Sequence, residues 1–432
     1  MTGTRTLWKA LKLCKSRFGP SSLISINFAA AKGAAYIAPL YIAASVRPRF
    51  YEAFEWSLAT ALPVMTLLIG TPLQILARQR LVRNEDGHEI WLLLAVVCGG
   101  CTMLGAVALL LWQGISALAV AVGGTVAMQM ILAEWSRSGP PSLATAWLDG
   151  LPLLLCATII GCLALAGSAP AERTVAAFLI AVSAGSGLVA GIKLQKKSLG
   201  TLLQKLRQNF NAGWQMAAAA LFGVWLGVSG RVLVGLVCET DLAAYALAFR
   251  LAGVALIVHQ IGLALFYRRI FTARTRSADR LLSLLYVGGW LFAGLAALTG
   301  PAIVRAVGMD ATGAGAEVVL DRILPIVALQ TGFWVGYALL QARLYRLGLA
   351  KALLPWAVGI AALSGTAVVL LAAAGVGVVG VAWLLAGQSA ACFLLALVLL
   401  ARSGLPHVRM GWTGAAGGFV LATIALLRTS AL

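Results

Sequence analysis

Three basic residues in this chain could bind an anion at membrane depth. Lys32, Arg231 and Arg250 each lie inside an apolar stretch long enough to cross a bilayer, and the sequence places no acidic residue within a helical turn or two of them. A charge near the bilayer centre costs about 2.5–3.5 kcal/mol even on insertion scales, so such residues usually face a cavity and have a function. The pattern predicts a membrane protein with a cationic interior, and therefore an anionic cargo.

The positions of these cations along their segments predict a common site. Arg231 precedes the outer end of its segment by seven residues and Arg250 follows the outer end of the next by nine, which puts both about 10–14 Å below the outer surface. Lys32 lies near the midplane of the first segment, with Arg47 at the outer mouth. Guanidinium and ammonium groups both bind phosphate, so we predict that these four residues bind the substrate. The alternative is that each cation pairs with a carbonyl or a distant acid, although few acids are expected at membrane depth.

The composition excludes a soluble globular protein. Of the 432 residues, 61% are hydrophobic and 11% are charged, and the mean hydropathy is +0.93. The net charge of +19 is distributed between the apolar runs and shows no nucleic-acid-binding pattern, so no nucleic acid is expected as a partner. Apolar runs close to the ~20 residues that span a bilayer fall at about 21–45, 53–77, 89–112, 115–134, 142–167, 174–192, 211–237, 242–267, 281–304, 320–342, 352–375, 377–401 and 410–428.

The distribution of Lys and Arg predicts the orientation of these thirteen segments. With the N-terminus in the cytoplasm, 24 of the 33 basic residues fall in cytoplasmic segments, 6 fall on the opposite side and 3 lie within the membrane. Basic residues are concentrated on the cytoplasmic side of membrane proteins, so this orientation is predicted. The predicted regions are a basic amphipathic cytoplasmic arm (1–19), six segments (20–193), a cytoplasmic basic linker (194–210), six further segments (211–402) and an extra C-terminal transmembrane helix (410–429).

Polar and aromatic residues share one face of segment ten. Gln330, Trp334, Tyr337 and Gln341 follow the spacing i, i+4, i+7, i+11 of a helical face. Amides beside flat aromatic rings suit a sugar, which presents hydroxyl groups and C–H faces, so these residues are candidates for facing a sugar. The alternative is a packing stripe between helices, in which the amides pair with each other or with the backbone.

Asp149 is the clearest acidic residue inside an apolar segment. It could couple proton movement to transport, or it could pair with Lys32 across the helices. The sequence Asp149-Gly150-Leu151-Pro152 is also typical of a helix kink, in which the aspartate would cap the restarted helix. The sequence favours this structural interpretation, and coupling remains the functional alternative.

Several other residues are interpreted as structural. His259 is expected to pack between helices, because it lies on the face opposite Arg250. Glu52 and Glu55 are expected to lie at the level of the lipid headgroups near the outer surface. The C-x-x-C spacing at 98–101 has no second pair or histidine cluster to complete a metal site. Neither a nucleotide-binding loop nor a catalytic constellation is found, so no enzyme activity, cofactor or metal is expected.

The chain resembles the MOP (multidrug/oligosaccharidyl-lipid/polysaccharide) superfamily, in particular its polysaccharide-export and O-antigen flippases. The resemblance covers roughly residues 20–402 and rests on two sets of six segments joined by a basic linker. It includes the Asn27-Phe28 opening of segment one and the run Phe54-Glu55-Trp56-Ser57-Leu58 that leads through Gly70. The fold implied is an all-α polytopic membrane protein of about 12–13 transmembrane helices, in two pseudo-symmetric six-helix lobes around a central cavity.

The function that this resemblance implies is that of a flippase. Such a carrier would translocate an anionic polyprenyl-diphosphate-linked oligosaccharide across the bacterial inner membrane for surface polysaccharide synthesis, by alternating access. Its partners would be this substrate, membrane lipids and other polysaccharide-assembly proteins. Family members place basic residues on segments one, seven and eight, which here carry Lys32, Arg231 and Arg250. The alternatives are a cation-coupled drug or metabolite antiporter of the same superfamily and a membrane-embedded polysaccharide polymerase or ligase.

Overall fold

The computed structural model of the chain describes residues 20–83, 88–111, 114–138, 144–194, 198–272, 275–306 and 316–430. Every regular element in these ranges is helical, which confirms the all-α prediction for this part of the chain. The predicted arm at 1–19 lies outside the described residues. The helices are α1 (Pro20–Ser45), α2 (Pro48–Arg83), α3 (Glu89–Leu111), α4 (Gly114–Ser138), α5 (Ala144–Asp149), α6 (Leu151–Leu165), α7 (Glu172–Ile192), α8 (Ser198–Val237), a 3-10 turn (Glu239–Asp241), α9 (Leu242–Ala252), α10 (Ala255–Thr272), α11 (Thr275–Ala306), α12 (Ala316–Arg346), α13 (Ala350–Ala373), α14 (Val378–Arg402) and α15 (Val408–Ser430).

Ten of the described helices are long and apolar enough to cross a membrane, and there are eleven if the bent pair at α9 and α10 is one span. The chain is therefore a multi-pass membrane protein by the length and composition of its helices. The remaining predicted segments do not qualify individually. α1, which carries Lys32, is not among the ten, and α6 has only 15 residues after the break at Gly150.

Buried residues form separate hydrophobic clusters along the described chain. The largest cluster is drawn from residues 219–425, and two smaller ones are drawn from residues 42–202 together with Ala246. Large apolar side chains also cover the outside of the helices, where Leu110, Leu165 and Ile192 are 84%, 91% and 84% exposed. Such exposure is expected for helices that face lipid rather than water.

The predicted cytoplasmic linker is helical from Ser198 onward. α8 begins at Ser198 and continues for 40 residues to Val237. Residue 210 is therefore not an element boundary, and the polar residues from Ser198 onward are the first turns of a membrane helix. Lys205 in these turns forms a 3.0 Å ion pair with Glu89 at the start of α3.

α2 and α8 pack closely along their length. Trp56 lies against Gly235 near one end of the contact, and Ile75 lies against Gly213 near the other. A side chain on Gly213 would approach Ile75 to 2.3 Å, so the absence of a side chain permits this separation. The pair joins a helix from the first part of the chain to one from the second part.

Two broken helices contact α1. The first break is at Gly150, between α5 and α6, and the second is at Gly253, between α9 and α10. Ala35 of α1 packs against Gly150, while the Tyr36 hydroxyl donates a hydrogen bond to the carbonyl of Gly253. Broken helices are tolerated at membrane depth where they line a cavity, because neighbouring groups satisfy the exposed backbone.

The extra C-terminal helix is an integral part of the structure. α15 packs against α11 and α12 and is one of the ten membrane-crossing candidates. The Asp279 carboxylate of α11 accepts hydrogen bonds from the backbone N–H groups of Arg409 and Met410, at 3.3 and 3.4 Å. Gly417 permits close approach, since a side chain there would meet the Trp290 ring at 2.3 Å.

Candidate functional site

A cavity of two adjoining chambers lies between helices from the first and second parts of the chain. The arginine chamber has a volume of about 270 Å³ and is lined by Lys32, Arg231 and Arg250, among others. The amide chamber has a volume of about 320 Å³ and is lined by residues of α2, α4, α8, α10 and α12, including Gln129 and Gln341. The residues that line both chambers are Leu62, Gln129, Asp149, Val224, Leu256, Gln260 and Trp334.

The arginine chamber brings together the three cations singled out in the sequence. Lys32 comes from α1, Arg231 from α8 and Arg250 from α9, and all three side chains line this one space. Their side chains are 2%, 4% and 13% exposed, so none of them faces lipid. The predicted convergence of these three residues is therefore present in the structure.

A buried carboxylate holds the two arginines together. Glu55 of α2 is fully buried and forms three charged hydrogen bonds of 2.9 Å. Arg250 donates from Nε to Oε1 and from Nη2 to Oε2, which is the bidentate geometry of a strong guanidinium–carboxylate pair. Arg231 donates from Nη1 to Oε2. We call this three-residue network the Glu55 bridge; it links α2 to α8 and α9.

The expectation that Glu55 lies at headgroup level is wrong, and so is the expectation that acids are too few to pair the cations. Glu55 lies about as far from the end of its helix as the two arginines lie from the ends of theirs. Glu55 lies seven residues into α2, Arg231 lies six residues before the end of α8, and Arg250 lies eight residues into α9. These positions are all about 10 Å from the corresponding helix ends.

A second network surrounds Asp149, and we call it the Asp149 cluster. The Asp149 carboxylate accepts a 3.1 Å hydrogen bond from Lys32 Nζ and a second, short hydrogen bond from Arg137 of α4. Arg137 also lies 3.8 Å from Glu134 one turn earlier. The sequence alternative in which Asp149 partners Lys32 is therefore present, and every member of this cluster comes from α1, α4 or α5.

The local role predicted for Asp149 needs correction. The helix does break here, as the Gly150 and Pro152 signals indicate, but Asp149 is the last residue of α5 and Gly150 is the N-cap of α6. No side chain caps α6. The carboxylate accepts hydrogen bonds from the two cations instead, because charged hydrogen bonds stabilise a buried carboxylate more than a hydrogen bond from a backbone N–H does.

The four residues on the polar face of segment ten, which is α12, have different environments in the structure. Trp334 lines both chambers and Gln341 lines the amide chamber. Tyr337 is fully buried against Phe222, with ring centroids 5.8 Å apart, and Gln330 accepts a 2.6 Å hydrogen bond from a buried tyrosine hydroxyl. The face therefore serves partly as a packing stripe and partly as cavity wall.

Arg47 and His259 are two other residues that the sequence analysis singled out. Arg47 is exposed and is not among the described residues that line either chamber. His259 lines the amide chamber beside Gln260 rather than being only a packed residue. The bend between α9 and α10 brings it there, because that break changes which face of the segment points inward.

Comparison with known proteins adds no assignment to this geometry. Neither protein-family models nor curated proteins match the chain. Within the described residues, no group of three or more His, Cys, Asp or Glu side chains could hold a metal ion. The cavity and its charges therefore carry the functional argument.

Proposed function

We propose that this protein is a membrane flippase, not an enzyme, that translocates an anionic polyprenyl-diphosphate-linked oligosaccharide by alternating access. The observation that carries the proposal is the convergence of Lys32, Arg231 and Arg250 on one chamber. Among the described residues, those lining that chamber include three cations and a single carboxylate, Asp149. A lining of this kind favours an anionic substrate over the cationic substrates of antiporters, which require acids in the cavity.

Glu55 has the chemistry of an internal substitute for substrate phosphate. A phosphate oxygen pair presents the same acceptor spacing to Arg250 as a carboxylate does, and guanidinium groups bind both in the same bidentate manner. A diphosphate in the arginine chamber would compete with Glu55 for Arg231 and Arg250. Because Glu55 belongs to α2 and the arginines belong to α8 and α9, that competition would release one group of helices from the other.

The Glu55 bridge would act as the outer gate in the proposed orientation. With the N-terminus in the cytoplasm, α2 runs inward from Pro48 and α8 runs outward to Val237, so the bridge lies towards the outer surface. Alternating access between two six-helix lobes is part of this proposal. It is supported by the division of most buried residues into one cluster from residues 219–425 and another from residues 42–180. In a bacterial inner membrane, a cytoplasm-negative potential would assist outward movement of an anion by about 2.3 kcal/mol per charge per 100 mV.

A binding measurement on purified protein tests the proposal. Undecaprenyl diphosphate is the probe and undecaprenol, which has the same tail without charge, is the matched control. We expect wild-type protein to bind the diphosphate with higher affinity, and Arg231→Gln or Arg250→Gln to lose most of that preference. The control variant is Arg402→Gln, because Arg402 is an exposed residue at the end of α14. Equal affinity for the two lipids would overturn the proposal.

A further inference from the structure

The amide chamber differs chemically from the arginine chamber. Its polar lining includes the side chains of Gln129, His259, Gln260 and Gln341, together with the ring of Trp334. The charged residues at its edge, Glu134, Arg137 and Asp149, pair with one another. This chamber is therefore rich in neutral hydrogen-bonding groups and carries no excess of positive charge.

Several of these side chains are fixed by the protein. The Gln129 amide donates a 2.8 Å hydrogen bond to the backbone carbonyl of Asp149. The Gln341 amide donates to the Ala219 carbonyl at 3.2 Å, and the Trp334 indole N–H donates to the Gly223 carbonyl at 3.0 Å. Fixed side chains lose little entropy when a ligand binds, so this wall is organised in advance.

Two buried polar atoms of the chamber have no partner among the described residues. They are Nε2 of His259 and Oε1 of Gln260, on consecutive residues of α10. A buried acceptor or donor without a hydrogen bond is unfavourable, and a ligand hydroxyl can satisfy either atom. Gln260 also lines the arginine chamber, so a ligand that occupies both chambers would lie next to Oε1 of Gln260.

We propose that the amide chamber binds the sugar next to the diphosphate and selects an uncharged, hydroxyl-rich sugar. The inference rests on the proposed function, because it assigns the second chamber to the same lipid-linked substrate. Trp334 lies where the chambers meet and offers an aromatic face to the C–H side of a sugar ring. An acidic sugar is disfavoured, because the chamber's one arginine is already paired with Asp149 and Glu134.

The order of the two chambers along α8 agrees with such a substrate. Along α8, Ala220 and Gly223 line the amide chamber, whereas Gly227 and Arg231 line the arginine chamber. In the proposed orientation the amide chamber is therefore on the cytoplasmic side. A lipid-linked substrate entering from the cytoplasm would place its diphosphate at the arginines and its first sugar behind them.

Three probes separate this inference from the proposed function. They are undecaprenyl diphosphate, the same lipid bearing one N-acetylglucosamine, and the same lipid bearing one glucuronic acid. For the full-length protein in nanodiscs, we expect the neutral sugar to raise the affinity about tenfold over the bare diphosphate, as one or two additional hydrogen bonds would do. The acidic sugar should give no increase.

His259→Leu should remove most of the gain from the neutral sugar while changing the affinity for the bare diphosphate less than about twofold, because His259 lines the amide chamber and is not among the residues that line the arginine chamber. Gln388→Leu is the matched control, because Gln388 is a buried glutamine of α14 that lines neither chamber. If His259→Leu does not fold, His259→Phe keeps an aromatic ring, removes both ring nitrogens and should give the same loss.

The outcomes are distinct. Absence of binding by all three probes would overturn the proposed function, and this inference with it. Binding of the bare diphosphate with no gain from the neutral sugar would overturn the inference alone. Equal affinity for neutral and acidic sugars would overturn the proposed selectivity, and an equal loss in the His259 and Gln388 variants would overturn the assignment of the chamber.

Discussion

The Glu55 bridge joins α2 to α8 and α9, whereas the Asp149 cluster joins only α1, α4 and α5. Both networks consist of one buried carboxylate shared by two cations, so their local chemistry is almost the same. Their positions in the chain differ, because the first connects helices of the two parts and the second stays within one part. A movement of one part against the other would break the bridge and leave the cluster intact.

The comparison shows that an ion pair's role depends on what it connects. A buried ion pair contributes little net stability over well-packed apolar residues, yet removing one partner leaves an uncompensated charge. Such pairs are therefore suited to holding one conformation closed until another anion replaces the carboxylate. We expect this role for Glu55 and a fixed structural role for Asp149.

Replacing each carboxylate by its amide should give the largest effects. Glu55→Gln deprives two buried cations of their counter-charge, whereas Asp149→Asn deprives one buried cation, Lys32, because Arg137 is 31% exposed and keeps Glu134 as a neighbour. Removing one partner of a buried ion pair costs about 3–5 kcal/mol, so both variants should melt at lower temperature. Undecaprenyl diphosphate should restore the stability of Glu55→Gln strongly, because phosphate takes the place of the carboxylate. It should restore Asp149→Asn less, since only Lys32 of its two cations lines the arginine chamber. Melting curves with and without the lipid measure both effects, and equal restoration would contradict the distinction.

Arginine-to-lysine substitutions should show which of Arg231 and Arg250 contributes more to diphosphate binding. Arg250 makes two hydrogen bonds to Glu55 and Arg231 makes one. A lysine cannot reproduce a bidentate contact, so Arg250→Lys should weaken diphosphate binding about tenfold and Arg231→Lys about threefold. Titration of each variant with undecaprenyl diphosphate checks the order, and the reverse order would show that the substrate is held differently from the carboxylate.

Asp149→Asn should not change the response of transport to a proton gradient. Its carboxylate accepts hydrogen bonds from Lys32 and Arg137, so we expect it to serve as a fixed counter-charge to these two cations rather than as a proton carrier. Proteoliposomes with imposed proton gradients would measure the response, normalised to the amount of folded protein. A flattened gradient dependence would instead support the coupling alternative raised by the sequence.

Arg47→Ala should have the smallest effect. Arg47 is exposed and lines neither chamber, so we expect diphosphate binding to change less than about twofold. The same titration applies, with Arg250→Lys as the comparison. A larger loss would place Arg47 on the substrate path after all.

The sequence allowed the helices and the cations of the site to be predicted, because both are local signals. Apolar runs define membrane segments, and a lone basic residue inside such a run is conspicuous. The partner of the arginines was missed because Glu55 lies 176 and 195 residues from them along the chain. A pairing between distant segments has no local signature, although counting residues from each helix end gives all three the same depth.

One of the two helix breaks has a local sequence signal and the other does not. Pro152 after Gly150 marks the break before α6, but no proline marks the bend at Gly253. That bend determines which residues of α10 reach the cavity, so the contribution of His259 and Gln260 could not be derived from helical periodicity. The continuity of α8 through residue 210 was likewise hidden, because its polar first turns resemble a linker in composition.

A distance measurement across the Glu55 bridge tests the central claim most directly. Spin labels at Arg49 and Thr240 would report the separation between the ends of α2 and α8, and labels at Arg49 and Ser168 would report a distance within the first part of the chain. All three positions are exposed. On a background without native cysteines, we predict that undecaprenyl diphosphate lengthens the first distance and leaves the second unchanged, whereas undecaprenol changes neither. An unchanged first distance at saturating diphosphate would contradict the account in which an anion displaces Glu55 and opens this end of the cavity.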